Sequence, residues 1–106
     1  MSDEPFFLAE VETILPPIPQ DSIVSRAFYT GDGVRATLFG FAAGQELTEH
    51  TASQAAILHF LKGHARLVLG ELRTEAGPGS WAHMPAHLPH SVHAEDEMVM
   101  LLLLLD

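Results

Sequence analysis

The chain has 106 residues, of which 47% are hydrophobic, so it is long and apolar enough for one domain with a single core. Fourteen acidic residues outnumber five basic ones, and the formal net charge of −9 argues against binding to nucleic acid or to an anionic membrane surface. The sequence has no cysteine, which excludes disulfides, thiol catalysis and zinc sites built on cysteine.

We expect neither end of the chain to act as a targeting or membrane signal. The first residues, MSDEPFF, are acidic and lack the basic and apolar regions of a secretory signal peptide. The apolar run at residues 101–105 is far shorter than the ~20 residues that a membrane-spanning helix needs. We therefore expect a cytoplasmic protein.

Residues 1–22 are predicted to form an N-terminal arm, and residues 23–106 are predicted to form the body of the domain. The arm holds an apolar stretch, PFFLAEVETIL, that is compatible with either a strand or a short helix. The proline-rich segment LPPIPQ then separates the arm from the body. After it, SIVSRAFYT and VRATLFGF are β-branched and aromatic runs joined by GDG, which is typical of a β-hairpin.

The middle of the chain gives conflicting signals. In residues 51–63, TASQAAILHFLKG, Thr51 and Gln54 form a capping-box pattern, and Lys62 followed by Gly63 would suit the end of a helix. Propensity alone therefore favours a helix here. The short runs around this segment are bounded by turn residues at close intervals, which favours an all-β barrel or jelly roll instead.

Further strands are expected at ARLVL, residues 65–69, and at MVMLLLLL, residues 98–105. The second of these runs is apolar throughout and does not alternate with polar residues. A continuous apolar run of this kind is typical of a strand that is covered on both faces. We therefore expect the C-terminal strand to be buried.

Two spaced motifs resemble those of the cupin family. The first cupin motif runs glycine, five residues, histidine, any residue, histidine, three or four residues, glutamate, six residues, glycine. The second runs glycine, five residues, proline, any residue, glycine, two residues, histidine, three residues, asparagine. The positions of this sequence that match are Gly44, His50, Gly63, Gly79, Pro85 and His90. The resemblance covers residues 23 to 105 and implies a small single-domain cupin, an all-β double-stranded β-helix closed as a jelly roll, in which residues 51–63 contain a strand.

The departures from the two motifs fall on the metal ligands. Metal-bearing cupins hold iron, manganese, nickel or zinc with the two histidines and the glutamate of the first motif and the histidine of the second. In this sequence Ala52 stands at the second histidine and Ala56 at the glutamate, so that only His50 and His90 are retained. The second motif also differs, with His87 at its glycine and Ala94 at its asparagine.

Four of the seven histidines, His83, His87, His90 and His93, fall within the segment SWAHMPAHLPHSVHAEDE. Side chains on a strand alternate between the two faces, so a spacing of three residues places His90 on a different face from His87 and His93. Pro89 argues against a helix that would align them. We expect His90 to point into the barrel and His93 to point out of it.

The predicted site is a cavity inside the barrel, lined by His50 and His90 from different strands. Phe60 and Trp81 are predicted to line the same cavity, although aromatic residues are also expected in a small β core. His83 is a possible additional metal ligand. Two alternatives stay open for the histidine pair: a weak divalent transition-metal site of iron, manganese, nickel or zinc, or two imidazoles that are satisfied by hydrogen bonds in a polar cavity.

The sequence therefore predicts a small cupin that binds a small molecule in a cavity lined by His50 and His90. The alternative is a metal-dependent enzyme, of the dioxygenase, isomerase or decarboxylase type, that acts on a small organic substrate. Catalytic zinc sites use three protein ligands, and facial-triad iron sites need a carboxylate, so the retained pair is incomplete for either. A homodimer is also expected, because a short jelly roll exposes strand edges and because the arm is apolar.

Overall fold

The computed structural model describes residues 4–106, which form nine β-strands and one 3-10 helix. The 3-10 helix is Val11–Ile14. The strands are β1 (Ile23–Gly31), β2 (Val34–Phe41), β3 (Glu46–His50), β4 (Ala55–Lys62), β5 (Ala65–Leu69), β6 (Leu72–Ala76), β7 (Trp81–Met84), β8 (His90–Ala94) and β9 (Met98–Leu105). The predictions for the first three residues of the arm lie outside the described residues.

The strands form two antiparallel sheets that enclose one core. The first sheet has the order β1-β2-β9-β4-β7, and the second has the order β3-β8-β5-β6. From β3 to β5 and again from β7 to β9 the chain passes from one sheet to the other at each step, so the two sheets form a double-stranded β-helix. The predicted all-β jelly-roll fold is confirmed.

The region with conflicting signals is a strand, so the helix favoured by propensity is wrong. Strand β4 lies between β9 and β7 and is paired with both of them. Its residues alternate in burial, with Ala56, Leu58 and Phe60 buried on the inner face. Pairing on both edges and burial of alternate side chains outweigh the capping signals at the ends of the segment, because secondary-structure propensity is weak compared with tertiary context.

Strand β9 occupies the centre of the first sheet. It pairs with β2 on one edge and with β4 on the other. The three consecutive residues Met98, Val99 and Met100 are all buried, so both faces of the strand are covered at this end. Residues 101–105 are only partly buried, so the burial that the unbroken apolar run predicts holds for the first three residues of the strand and is overstated for the rest.

The arm covers part of the outer face of the first sheet. It contains neither a strand nor an α-helix in residues 4–22, but turns once at the 3-10 helix. A Cβ atom added at Gly40 would lie 2.6 Å from the Leu15 side chain and 2.7 Å from that of Ile18, so the arm approaches β2 closely there. The guanidinium of Arg26 also donates a hydrogen bond to the backbone carbonyl of Ile14 over 3.3 Å. No helix among the described residues is long and apolar enough to span a membrane.

Candidate functional site

The structure brings His50 and His90 into contact at one end of the barrel. His50 is the last residue of β3 and His90 is the first residue of β8, and the two face each other directly across these paired strands. Their ring centroids are 4.1 Å apart, with an angle of 59° between the ring planes. His90 is buried, with 7% of its surface exposed, whereas His50 is exposed. The pair therefore links the interior of the barrel to solvent.

A β-bulge in β3 puts His50 in this position. Leu47 pairs with Val92 on the inner face, and in a regular strand the residue two positions later would continue that face. The register shifts between Leu47 and His50, so that His50 rather than Glu49 lies opposite His90. Bulges often re-aim a side chain next to a functional site, and here the bulge replaces a carboxylate by an imidazole.

Both rings are held by the same kind of hydrogen bond. The Nδ1 atom of His50 lies 2.8 Å from the backbone carbonyl oxygen of Thr48, and the Nδ1 atom of His90 lies 2.9 Å from that of Leu88. A carbonyl oxygen only accepts hydrogen bonds, so each Nδ1 carries the proton and donates it. In the neutral ring the lone pair is then on Nε2. Both Nε2 atoms are thereby left as acceptors or metal ligands.

A small pocket of about 60 Å³ lies beneath the two rings. Its wall includes Ala52 and Ala56, the two alanines that stand where the family motif has a histidine and a glutamate. The rest of the wall is mainly apolar and includes Met84, Leu88, Leu102 and Leu104. Because alanine has a short side chain, the space that the missing ligands would fill is part of the pocket.

Gln54 is a candidate site residue that the sequence analysis missed. It lines the pocket, and its amide nitrogen donates a hydrogen bond to the carboxylate of Asp106. This bond occupies the nitrogen and leaves the amide oxygen free to accept or to coordinate. The signal was present in the sequence, because Gln54 precedes Ala56 by two residues and so shares its face if the strand extends that far.

His87 has a backbone role beside the pocket. It stands where the second motif has glycine, and its φ of 69° lies in the left-handed region that favours glycine. Its amide donates a 2.7 Å hydrogen bond to the carbonyl oxygen of Ala52, which ties the β7–β8 turn to the β3–β4 loop. The side chain is exposed and does not line the pocket.

The structure places three other predicted site residues away from this pocket. Trp81 pairs with His59 and His83 pairs with Ile57, on the face of the first sheet opposite to Ala56. His83 therefore does not approach His50 and His90 as an additional ligand. Phe60 does point inward and is fully buried, but it lies four residues beyond Ala56 on the inner face of β4, within the main core.

The remaining histidines lie on the surface, two of them beside carboxylates. His93 points outward, as expected from the strand alternation, and its Nδ1 lies 3.2 Å from Glu46 Oε1. The exposed His64 has its Nδ1 2.8 Å from Asp96 Oδ2. This hydrogen bond, together with the negative charge of Asp96, raises the pKa of His64 above its ordinary value of 6.5. The same bond lowers the pKa of Asp96 below 3.8.

The pair at His50 and His90 fits a transition metal in chemistry but not in number of ligands. Imidazole nitrogen suits zinc, nickel and iron, and ligating histidines commonly donate their other ring nitrogen to a carbonyl, as both do here. Within residues 4–106, however, no group of three or more His, Cys, Asp or Glu side chains is arranged to hold a metal ion. A metal ion here would be bound by the imidazoles of His50 and His90. Its other ligands would be the Gln54 oxygen, water or a bound molecule.

Comparison with known proteins agrees with the fold. The family model described as the cupin domain matches residues 37–105. A cupin 2 conserved barrel domain protein from Leptotrichia buccalis is 29% identical, with a TM-score of 0.79, covering 95% of this chain and 47% of that one. A conserved protein of unknown function from Streptococcus pyogenes is 28% identical, with a TM-score of 0.77, covering 85% of this chain and 79% of that one.

A third solved structure shows the same fold at lower identity. A cupin superfamily protein from Desulfitobacterium hafniense is 23% identical, with a TM-score of 0.80, covering 99% of this chain and 93% of that one. No protein in the curated set matches the sequence. The comparisons therefore give the family and the fold.

Proposed function

The chain belongs to the cupin domain family, and from that premise we propose that it binds a small molecule through a divalent transition metal held by His50 and His90. The metal would be iron, manganese, nickel or zinc. Its role would be to coordinate an oxygen or nitrogen atom of the ligand at a position that the two imidazoles leave open. The alternative without metal uses the same two Nε2 atoms as hydrogen-bond acceptors for the ligand.

The observation that carries this proposal is that both rings make the same hydrogen bond through Nδ1 and lie close together. Each ring donates Nδ1–H to a backbone carbonyl and keeps a lone pair on Nε2, and the two ring centroids are 4.1 Å apart. Two neutral imidazoles this close to each other bring two potential ligand atoms to one place. The arrangement therefore supports a metal ion shared by the two rings.

The size of the pocket limits what can bind inside it. Its volume of about 60 Å³ is far below the roughly 300–1,000 Å³ that encloses a drug-sized ligand. At the ~30 Å³ that a water occupies in the liquid, it has room for about two waters, or for a metal ion and one water. We therefore expect only the coordinating group of the ligand to enter, with the rest of the molecule outside the ring of His50.

The proposed metal site is weak because it lacks two of the family's ligands. Catalytic zinc sites usually have three protein ligands, and here Ala52 and Ala56 contribute none. We therefore expect the metal to exchange readily and to be lost on dialysis against a chelator. An enzymatic role on a small organic substrate is a second possibility, but no carboxylate lines the pocket among the described residues to serve as an acid or base beside the imidazoles.

Calorimetric titration of chelator-treated protein with Zn²⁺ tests the metal. We expect one site in wild type, and loss of binding in His50→Ala and in His90→Ala. The matched controls are His59→Ala and His83→Ala, which remove imidazoles that do not line the pocket, and we expect them to bind Zn²⁺ as wild type does. Equal binding in all four variants would show that Zn²⁺ binds surface histidines and would reject the proposed site.

The metal-free alternative predicts a different result. Zn²⁺ would then bind no better to wild type than to the His90→Ala variant. Metal analysis of protein purified without added metal gives an independent readout, because the proposal expects iron, manganese, nickel or zinc at substoichiometric amounts in wild type. It expects none in the His50→Ala, His90→Ala double variant.

We also propose that the protein forms a homodimer through its N-terminal arm. Phe6 and Phe7 are 53% and 82% exposed, an unusual position for two adjacent large apolar side chains. The ring of Phe6 lies 5.2 Å from that of Tyr29, which anchors the arm on strand β1 at the edge of the first sheet. Light scattering should give twice the 11.5 kDa mass of one chain for wild type. It should give a single-chain mass for Phe7→Ser, and a single-chain mass for wild type would contradict the dimer.

A further inference from the structure

Gln54 and Asp106 form a polar pair beside the pocket beneath the two histidines. Strands β4 and β9 are antiparallel, and Ala56 lies opposite Leu104 in their register. Two residues further along, the same register brings Gln54 opposite Asp106, just beyond the ends of the two strands. The amide nitrogen of Gln54 donates a hydrogen bond to the Asp106 carboxylate there. The pair therefore continues the β4–β9 ladder through its side chains.

Strand alternation places Gln54 on the face of the pocket. Side chains two residues apart on a strand share a face, so Gln54 follows Ala56 on the inner face. Both residues line the pocket. Gln54 is half-buried, whereas Asp106 is exposed and does not line the pocket. The carboxylate thus holds the Gln54 side chain from the solvent side of the pocket wall.

The hydrogen bond determines which end of the Gln54 amide is turned toward Asp106. An ionised carboxylate only accepts hydrogen bonds, so the atom that faces it is the amide nitrogen. The amide oxygen is then directed away from Asp106. Within residues 4–106, no group donates a hydrogen bond to this oxygen. Gln54 therefore contributes a neutral oxygen with available lone pairs to a wall that is otherwise mainly apolar.

The backbone is held on both sides of this pair. The Asp106 amide donates a 2.9 Å hydrogen bond to the carbonyl oxygen of Gly33, in the turn between β1 and β2. Two residues before Gln54, the carbonyl oxygen of Ala52 accepts a hydrogen bond from the His87 amide. Because these positions are already ordered, the Gln54 side chain loses little conformational freedom when its oxygen binds a ligand.

We propose that Asp106 is a positioning residue, which fixes Gln54 so that its amide oxygen is the third protein ligand of the metal ion at the histidine pair. This inference rests on the proposed metal binding by His50 and His90. Carbonyl and amide oxygens are established ligands of divalent metal ions. A hydrogen bond from the amide nitrogen to a carboxylate also increases the negative partial charge on the amide oxygen, which makes the oxygen a stronger ligand.

The resulting set of ligands is complete in number but has no charge. Two imidazoles and one amide give three protein ligands, the number that catalytic zinc sites use. The amide oxygen of Gln54 is neutral, however, and takes the place of the glutamate carboxylate that the family motif supplies. The site therefore stays weaker than one with a carboxylate ligand, and the Asp106 charge acts on the metal through the amide.

Calorimetric titration of chelator-treated protein with Zn²⁺ measures the part of each residue. Gln54→Ala and Asp106→Ala should each weaken Zn²⁺ binding about tenfold, since loss of a group that orients a metal ligand typically costs roughly 10–100-fold. Asp106→Asn keeps an acceptor for the amide nitrogen and should recover most of the affinity. The matched controls are Ser53→Ala and Glu71→Ala, which alter exposed residues outside the pocket and should bind as wild type does.

The double variant separates positioning from a direct effect of the Asp106 charge. If Asp106 acts through Gln54, the variant with both alanines should bind about tenfold more weakly than wild type, as each single variant does. A loss of about a hundredfold would show that Asp106 acts on the metal by itself and would overturn its positioning role.

The single variants distinguish failure of this inference from failure of the proposed metal site. Wild-type affinity in Gln54→Ala, together with lost binding in His90→Ala, would overturn the role of Gln54 and leave the histidine site standing. Wild-type affinity in His90→Ala would overturn both.

The side-chain amide signals give a second readout that needs no variant. The chain has no asparagine and three glutamines, Gln20, Gln45 and Gln54, so a nitrogen–proton spectrum contains three side-chain amide groups. Zn²⁺ should shift the Gln54 amide signals, because coordination at the oxygen draws electron density from the nitrogen. The signals of Gln20 and Gln45 should stay in place, since neither residue lines the pocket. Unchanged Gln54 signals in the Zn²⁺-bound protein would overturn the proposal.

Discussion

Two histidine sites in this barrel differ in what their Nδ1 atoms bind. At one end, His50 and His90 each donate Nδ1–H to a backbone carbonyl oxygen. At the turn between β4 and β5, the Nδ1 of His64 is bonded to the carboxylate of Asp96, which also accepts a 2.6 Å hydrogen bond from the His64 amide. Both arrangements fix the ring, but they prepare it for different chemistry.

A carbonyl acceptor fixes the tautomer without adding a full negative charge to the site. The imidazole then keeps a lone pair on Nε2, which is the form that binds metals and accepts hydrogen bonds. A carboxylate acceptor on an exposed ring stabilises the protonated imidazolium, which has no lone pair to offer. The direction of the pKa shift at His64 agrees with this. The comparison therefore separates a site for a ligand from a site for an ion pair.

Restoring the missing ligands should change the histidine pair most. Ala52→His together with Ala56→Glu adds two donors to the pocket wall, and we expect Zn²⁺ affinity to rise by about a hundredfold, equivalent to about 2.7 kcal/mol. Calorimetric titration measures it. The matched control is Ala52→His with Ala55→Glu, because Ala55 pairs with Leu105 on the other face of β4. If the control gains as much affinity as the restored variant, the added charge rather than coordination is responsible.

The turn between β4 and β5, which carries His64, should be sensitive to a substitution of its glycine, Gly63. Gly63 has a φ of 78°, and a Cβ atom added there would lie within 2.2 Å of the carbonyl oxygen of Glu97. Gly63→Ala should therefore lower the free energy of unfolding by about 2 kcal/mol in denaturant titrations. Gly33→Ala separates the two causes, because Gly33 has a similar φ of 82° and no atom within 4 Å. Equal losses in both variants would show that the close approach costs nothing.

Removing the carboxylate should have the smallest effect, confined to the turn. Asp96→Asn keeps a hydrogen-bond acceptor but removes the charge, and we expect the pKa of His64 to fall toward 6.5. Proton NMR titration of the His64 ring measures it. Zn²⁺ binding at the histidine pair should be unchanged, and a change there would contradict the separation of the two sites.

The hydrogen-bonded pair of His64 and Asp96 makes the stability of the fold depend on pH. Because the pKa of His64 is raised on folding, its contribution is complete below 6.5 and is lost as the pH rises through the folded-state value. Because the pKa of Asp96 is lowered, its contribution is complete above 3.8 and is lost as the pH falls through the folded-state value. The pair of His64 and Asp96 therefore stabilises the fold mainly between pH 3.8 and pH 6.5. The stabilisation is small, because both groups are fully exposed.

The fold could be predicted from the sequence because turn residues and strand periodicity agree in most of it. The exception, residues 51–63, was decided by motif spacing and not by local propensity. Gly63 explains why the motif spacing was the better guide. The spacing marks a backbone position that only glycine occupies without strain, and this requirement does not depend on the helix propensity of the neighbouring side chains. His87 shows the limit of this reasoning, since it holds a left-handed φ of 69° without being glycine.

The site could be predicted only in part, and strand parity alone would have put the wrong residue into it. Counting alternate residues from Leu47 places Glu49 on the inner face, and only the motif spacing indicates His50 instead, because nothing in the local sequence signals the bulge. The aromatic residues could not be placed for a different reason. Composition gives no distance, and it groups Phe60 and Trp81 with the histidines although Phe60 lies in the main core and Trp81 lies on the outer face of the first sheet.

Nitrogen NMR of the imidazole rings tests the central claim most directly. Long-range proton–nitrogen spectra of metal-free protein should show His50 and His90 with the proton on Nδ1 and a lone pair on Nε2. Addition of Zn²⁺ should shift the Nε2 signals of these two rings and leave those of His59 and His83 unchanged. Protons on Nε2 in the metal-free protein, or shifts spread equally over all the histidines, would contradict the account.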